Sequence, residues 1–390
     1  MDLPKQLFYS TSARIGGSGL DAVAKETVRV AHHAGILGKA LAFENRQNDV
    51  PAALIRSLER HPVRLISWFF GREFYYGAKK HALDKEAVRE LKRGSFDLFH
   101  GWSGESVRSL RETKQRGIPS LIEIPTWHRH KGKSKPVRLT KSERERAETR
   151  GLEGFKNRFL ITRQQMLEEY ELADLILVLS EKAEETFLAA GVAKEKLFRH
   201  QRGVDVERFV PVEKAPEIFR AVFVGALIER KGVHHLLRAW HRLNLRDAEL
   251  LLVGSVHEEI KPWLREFGGP TVKIAGFVSK VEECYQSAAV HLFPSSCEGS
   301  AKSTYEAAAC GLPQITTRES GDVVIDRENG LIIPPEDSDA IAGALRQLHA
   351  NRDLCLQLGA AGRRRVVENF TWEHFGRRLL EAYRVAMSRR

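Results

Sequence analysis

Two carboxylates eight positions apart, Glu298 and Glu306, stand in a stretch that reads as strand, loop and helix. The apolar run Ala289-Val290-His291-Leu292-Phe293 has the character of a buried strand, and Pro294 stops it. A small-residue turn then feeds an Ala-rich helix that ends at Gly311-Leu312-Pro313. The first amides of such a helix have no partner of their own and stabilise an anion. Donors for phosphates beside carboxylates for hydroxyls are what a sugar nucleotide requires. A second cluster, Arg230 and Lys231, follows the apolar run that ends at Phe223-Val224-Gly225. A diphosphate gains negative charge as it leaves a sugar, so fixed cations beside it lower the barrier. At a helix start these two bases oppose the helix dipole, and a bound anion removes that conflict.

The same residues admit plainer readings. Ser303-Thr304-Tyr305-Glu306 fits a capping box in which Glu306 serves its own helix, and Glu298 fits a solvated turn. Against these stands a resemblance. The stretch Phe293–Pro313 resembles the E-x7-E signature of family 4 of the retaining GT-B glycosyltransferases, including its Ala-rich helix and Cys-Gly-x-Pro ending. The passage Arg202-Gly203-Val204-Asp205 through Pro211 resembles the family's N-G-V-D-x-x-x-F-x-P, with Arg202 in place of Asn. Lys231-Gly232 matches the end of the family's G-R-x-x-x-x-K-G, whereas Ala226 occupies the Arg position and Arg230 sits beside the Lys.

The resemblance implies a fold and a set of roles. The fold is α/β of the GT-B type: two Rossmann-like parallel-sheet domains facing across a cleft that holds a nucleotide-diphosphate sugar. Glu298 approaches the hydroxyls of the donor sugar and is one of two catalytic candidates; Glu306 accepts from the ribose hydroxyls. Arg230 and Lys231 grip the diphosphate, and the loop Gly299-Ser300-Ala301-Lys302 holds sugar or phosphate through its amides, Lys302 either adding a phosphate contact or pointing to solvent. This loop replaces two residues of the family's E-G-F-G. The backbone around Gly276-Phe277-Val278 falls where relatives hold the base, and Arg318–Asp322 where they contact the donor. In the first half, Gly16 and Gly17 correspond to the glycine loop near the donor phosphates or the acceptor. The strand end Phe96–Trp102 resembles a D-x-x-H passage whose His100 lines the cleft. His128, with His130 as the alternative, corresponds to the histidine that reaches the sugar and is the second catalytic candidate. The reaction implied is transfer with retention to a saccharide or glycolipid acceptor in cell-surface polysaccharide, lipopolysaccharide or glycolipid synthesis. It needs no metal or other cofactor, because side-chain cations and helix N-termini replace a divalent ion. The competing readings are a GT-B epimerase or phosphorylase, and a non-catalytic protein that binds anionic surfaces with a degenerate donor pocket.

The elements that must position these residues follow from pattern. Residues 6–10 read as a first strand; Ile15-Gly16-Gly17-Ser18-Gly19 then turns the chain into an amphipathic helix from about Leu20 to His33. The glycine spacing is not G-x-G-x-x-G, which argues against NAD. On the residues alone the glycines also fit a tight turn. Further apolar runs at 39–43, 96–100, 120–124 and 174–180 alternate with helical stretches, as a parallel sheet requires. The second half repeats the alternation with strands expected at 221–226, 249–254, 272–276, 289–293, 313–317 and 330–333. The expected domains are 1–210 and 211–371, joined by a linker from Pro211 to Pro216, with a final helix over 372–390 crossing back to the first.

Composition bounds the rest. The 390 residues are ample for two cores, and a hydrophobic content of 42% is ordinary for a soluble chain. No apolar leader opens the sequence and no window approaches a membrane span, so the expected location is the cytoplasm, with peripheral attachment at the inner membrane face as the further option. Cys284, Cys297, Cys310 and Cys355 lack C-x-x-C spacing and imply neither zinc nor a disulfide framework. The net charge of +11 calls for a polyanionic partner: a phosphorylated small molecule or an anionic membrane surface, since no nucleic-acid-binding motif is present. Between Arg129 and Arg150 nine Lys and Arg face three Glu, the pattern of a solvated basic face or of a docking surface for anionic headgroups.

Overall fold

The computed structural model describes residues 2–66, 72–128, 159–212 and 218–389. The chain divides into two units. The first comprises Met1–Val178, Thr186–His200 and Gly376–Arg390; the second comprises Leu179–Glu185 and Gln201–Phe375.

The first unit is a seven-stranded, all-parallel sheet. Its strands are β1 (Leu7–Ile15), β2 (Leu37–Asn45), β3 (Ile55–Ser57), β4 (Leu98–Trp102), β5 (Ser120–Glu123), β6 (Leu175–Val178) and β7 (Leu197–Arg199), in the order β3-β2-β1-β4-β5-β6-β7. The connections carry helices α1 (Leu20–His33), α2 (Arg72–Arg93), α3 (Val107–Arg116) and α4 (Arg163–Leu172), and α5 (Glu181–Leu188) is shared, its residues through Glu185 counting with the second unit. Leu7, Phe8, Tyr9, Phe99, Leu121 and Ile176 are fully buried in this sheet, as continuous apolar strands covered on both faces must be. The order reverses between β1 and β4, the switch point at which ligands of such sheets collect.

The second unit is a six-stranded parallel sheet, β10-β9-β8-β11-β12-β13. Its strands are β8 (Phe219–Val224), β9 (Ala248–Val253), β10 (Val272–Gly276), β11 (Val290–Phe293), β12 (Gln314–Thr316) and β13 (Leu331–Ile332). The helices are α6 (Val233–Leu243), α7 (Lys261–Phe267), α8 (Val281–Gln286), α9 (Lys302–Ala309), α10 (Ser338–Ala350) and α11 (Arg352–Asn369); α12 (Trp372–Met387) starts in this unit and belongs to the first from Gly376 on. All six strands expected here are present, each within two residues at either end. In the first unit β3 and β7 were not expected. Each is three residues long and has no apolar run of its own, so only pairing to a neighbouring strand defines it.

The border lies ten residues before the expected one. Val204 pairs with Thr371, its amide donates to Phe370 O at 2.9 Å, and Phe209 is buried against Tyr285, so the 202–211 passage is built into the second unit. Of the expected linker, residues 213–217 lie outside the description. From Gly376 on the final helix belongs to the first unit: Tyr383 is fully buried and the Arg389 guanidinium donates to Asp174 O at 2.8 Å. Among the described residues no helix is long and apolar enough to cross a membrane. None of the four cysteines is in a disulfide, and burial pushes the Cys310 thiol up to about 12.

Candidate active site

Two backbone approaches shape the carboxyl ends of β8 and β11. Gly225 has φ +153° and lies so close under Lys231 that a Cβ there would stand 3.0 Å from Nζ. A short 3-10 turn, Glu229–Lys231, then leads into α6 through Gly232 at φ +72°, and a Cβ on Gly232 would be 2.1 Å from Pro294 O. A side chain at either position would push the β8 turn away from the β11 loop. The cations of one loop and the carboxylate of the other meet here as a result.

Arg230 Nη1 donates to Glu298 Oε1 at 2.7 Å and also to the Cys297 carbonyl. Lys231 Nζ stands 3.8 Å from the same Oε1 and 5.1 Å from the centre of the Phe293 ring. Ser295 Oγ donates to Glu298 Oε1 at 3.3 Å. The Lys231 side chain is 18% exposed, and burial holds its ammonium below the usual lysine range even though Glu298 pulls the other way. A buried lysine sharing one carboxylate with an arginine leaves a net positive charge, which a bound anion would neutralise. Glu298 is therefore not a free turn carboxylate. It sits where one oxygen, Oε1, meets both cations and Ser295.

The loop after β11 is tied down from outside. Thr317 Oγ1 donates to Ser295 O at 2.6 Å, and the amides of Glu298 and Ala301 donate to Glu319 O and Ser320 O. Ala301 is thus a core residue whose amide is spent; it offers a ligand neither side chain nor N–H, contrary to the role the resemblance gave it. Ser300 Oγ is committed to Tyr305 Oη at 2.8 Å, and Arg202 Nε donates to Ser300 O at 3.1 Å. Among the described residues the amides of Gly299, Ser300, Lys302 and Ser303 have no intramolecular partner, and the buried Ser303 hydroxyl has none either. Together they form the amide-rich start of α9, an arrangement that binds oxyanions.

Glu306 is buried on α9, with Oε2 accepting from Tyr285 Oη at 3.0 Å. Lys302 Nζ lies 2.5 Å from Oε1 as an ion pair one helical turn away, outside hydrogen-bond angles. The capping-box alternative fails: α9 starts after Ala301 and has no side-chain cap, so Glu306 lies beyond the first turn. Lys302 is half-buried against Glu306 rather than turned to solvent. Phe277 follows the left-handed Gly276 and is 90% exposed, a free aromatic face at the end of β10; Val278 packs beneath it into the core. In the Arg318–Asp322 loop, Glu319 and Ser320 contribute their carbonyls to the β11 loop, as given above.

In the first unit Gly16 and Gly17 have φ of +106° and +143° at the end of β1. A Cβ on Gly16 would be 3.1 Å from the Arg46 backbone, and Asp21 braces the loop by accepting from Arg14 N at 3.0 Å. His128 is 4% exposed, its ring packed against Tyr170 and Phe187 and its amide donating to Thr186 Oγ1. His100 does not line a cleft: it is wholly buried, its Nδ1 meets Tyr383 Oη at 3.0 Å, and burial drives its pKa to about 3. The apolar cover supplied by α12 is the reason. His130 and the basic Arg129–Arg150 segment lie outside the described residues.

Sequence reasoning missed Tyr285, Ser295, Ser303 and Tyr305. None of the four carries a charge, and nothing in their spacing marks them. Arg202 was visible as a departure from the family pattern, but its bond to Ser300 O, which fixes the loop, was not.

Comparisons with known proteins agree with this geometry. Residues 218–351 match the family model described as glycosyl transferases group 1. The capsular polysaccharide biosynthesis glycosyltransferase CapM of Staphylococcus aureus is 27% identical over 265 residues, 61% of this chain and 69% of that protein. The matches to CapM and two further curated relatives span between 56% and 69% of those proteins' length. Among solved structures, sucrose-phosphate synthase from Thermosynechococcus elongatus aligns with TM-score 0.70 at 20% identity over 97% of this chain and 98% of that one. Anabaena HepE in complex with UDP-glucose aligns with TM-score 0.66 at 15% identity over the same shares. The chain is thus a two-domain parallel α/β protein of the GT-B fold, and residues 218–351 of its second unit are similar to the group 1 glycosyl transferases.

Proposed function

We propose that this protein is a retaining glycosyltransferase that moves a sugar from a nucleotide-diphosphate donor to an acceptor hydroxyl. The acceptor is a saccharide or glycolipid, and the product belongs to cell-surface polysaccharide, lipopolysaccharide or glycolipid synthesis. The observation that carries this reading is the convergence of Lys231, Arg230 and Glu298 on a loop whose next amides, and the Ser303 hydroxyl, have no partner of their own. Lys231 and those amides hold the diphosphate. Glu298 accepts from the donor sugar, Glu306 from the ribose, and Phe277 covers the base. As the bond from the anomeric carbon to the phosphate oxygen breaks, the acceptor oxygen bonds to the same face of that carbon. The acceptor's proton passes to the departing diphosphate, so no protein base is required. Fixed cations and amides stabilise the charge that develops there, with no divalent ion. The S. aureus relative, named for capsular polysaccharide biosynthesis, and the neighbour solved with UDP-glucose support the donor class and the product class. The net charge of +11 and the basic 129–150 segment support cytoplasmic action at an anionic membrane face.

The test is nucleotide release and label transfer from a panel of nucleotide-diphosphate sugars in the presence of a chelator. Transfer that persists with chelator and falls in Lys231→Ala supports the reading. Equal turnover by Lys231→Ala overturns the diphosphate assignment, an epimerised donor points to the GT-B epimerase, and an inverted product overturns retention.

A further inference from the structure

On the first unit, α2 and α3 present two stripes to one groove of about 350 Å³. Lys85, Val88, Arg89 and Lys92 recur at i, i+3, i+4 and i+7 on α2, and Arg108, Arg111, Glu112 and Gln115 repeat that spacing on α3. Residues so spaced share one helix face. Five cations and one carboxylate therefore border a single open groove.

Three of the cations are partly answered. Arg89 pairs with Glu86, Lys92 Nζ lies 3.5 Å from Glu112, and Arg111 makes a two-pronged contact with Glu168 at 2.6 and 2.7 Å. Among the described residues, Lys85 and the Arg108 guanidinium have no carboxylate within ion-pair distance. The buried Asp84 behind the groove is already committed, accepting from the amides of Arg108 and Ser109 and from Ser109 Oγ. Arg108 also stands in the first turn of α3, where the helix dipole disfavours a cation. Two facing basic stripes repel each other, and an anion between them would relieve that repulsion.

We propose that the α2–α3 groove is a binding site for a phosphate ester, with Lys85 and Arg108 as its principal contacts. It lies on the outer helical layer of the first unit and is independent of the donor assignment. Its ligand chemistry, a phosphate carrying two negative charges, is shared by a soluble phosphorylated metabolite and a phosphomonoester lipid headgroup.

The experiment uses the full chain carrying Lys231→Ala, which weakens anion binding at the second unit. Inorganic pyrophosphate is titrated by calorimetry, and phosphatidic acid vesicles are tested by co-sedimentation against phosphatidylcholine vesicles. Binding of either probe that weakens about tenfold or more in Lys85→Ala/Arg108→Ala, and returns in Lys85→Arg/Arg108→Lys, supports the site. Pyrophosphate alone identifies a soluble ligand, and vesicles alone identify a lipid headgroup. The substituted side chains are exposed, and an unchanged melting temperature verifies folding. Absence of binding by both probes, or binding indifferent to the double alanine variant, overturns it.

Discussion

Replacing Glu298 by Gln separates the two duties that the geometry gives this carboxylate. The amide keeps the shape but removes the charge that Arg230 meets at 2.7 Å and Lys231 at 3.8 Å. The Arg230 side chain is 44% exposed, so its pair is screened and worth about 0.5 kcal/mol. Lys231 is more deeply placed, and leaving it without a counter-charge costs more, about 1 kcal/mol. The sum, about 1–2 kcal/mol, corresponds to a fall in melting temperature of about 2–8 °C for a unit of this size. Nucleotide binding should move the other way. With Glu298 neutral, the diphosphate no longer faces a carboxylate and becomes the sole counter-ion of two cations. UDP or GDP should therefore raise the melting temperature of Glu298→Gln by more than that of the unmodified protein. Transfer, which needs the carboxylate on the donor sugar, should drop about 10–150-fold, the loss expected for one charged hydrogen bond. Differential scanning fluorimetry with and without nucleotide, beside a nucleotide-release assay, reads all three. A nucleotide-induced shift smaller in the variant than in the parent would refute the placement of the diphosphate against Lys231 and Arg230.

Three further outcomes follow from local geometry. Gly232→Ala should lower stability in urea by about 2 kcal/mol or more and abolish donor binding, because its φ of +72° and the Pro294 carbonyl 2.1 Å from the added Cβ both oppose it. Phe277→Ala should leave stability within about 0.5 kcal/mol, since the ring is exposed. It should raise the KM for donor by roughly tenfold if the ring stacks on the base; unchanged KM would remove Phe277 from the site. Burial lowers His100 to about 3 and His291 to about 4, so both are neutral in the fold while the unfolded chain binds protons below about 6.5. Their stabilising contribution is complete above that pH and is lost as pH falls toward 3 and 4, at about 1.4 kcal/mol each by pH 5.5. Denaturant midpoints from pH 7.5 to 5 should decline accordingly, and His100→Gln and His291→Gln should each flatten the slope.

How much of this was readable beforehand depends on what kind of signal each feature leaves. The parallel sheets were legible because strands covered on both faces are written as apolar runs; β3 and β7 leave no such run and exist only through their neighbours. The strand–loop–helix around Glu298 was legible because proline, small residues and alanines mark its joints. The border at Gln201 was not, since what assigns Val204 and Phe209 to the second unit is a pairing with Thr371 and a ring contact with Tyr285, both distant in sequence. His100 shows the limit most clearly. Its place at a strand end suggested a ligand, but burial depends on what covers the strand, and the covering residue, Tyr383, lies 283 positions away.

The same distinction bears on the missing arginine at position 226. A cation one turn earlier on the β8 loop would reach a diphosphate as a second point charge. Arg230 instead spends its guanidinium on the Cys297 carbonyl and on Glu298, both in the β11 loop. It is a strut that joins the two loops as much as a charge. The Lys231 ammonium, by contrast, has no hydrogen bond among the described residues, only the 3.8 Å approach to Glu298 and the 5.1 Å approach to the Phe293 ring. If the strut matters more than the charge, Arg230→Lys should lose most of the effect of the guanidinium, since an ammonium cannot reach both partners in the same geometry. Arg230→Lys should then show a raised donor KM and a lowered melting temperature together. A variant with normal stability and a raised KM alone would mean that Arg230 acts on the diphosphate directly.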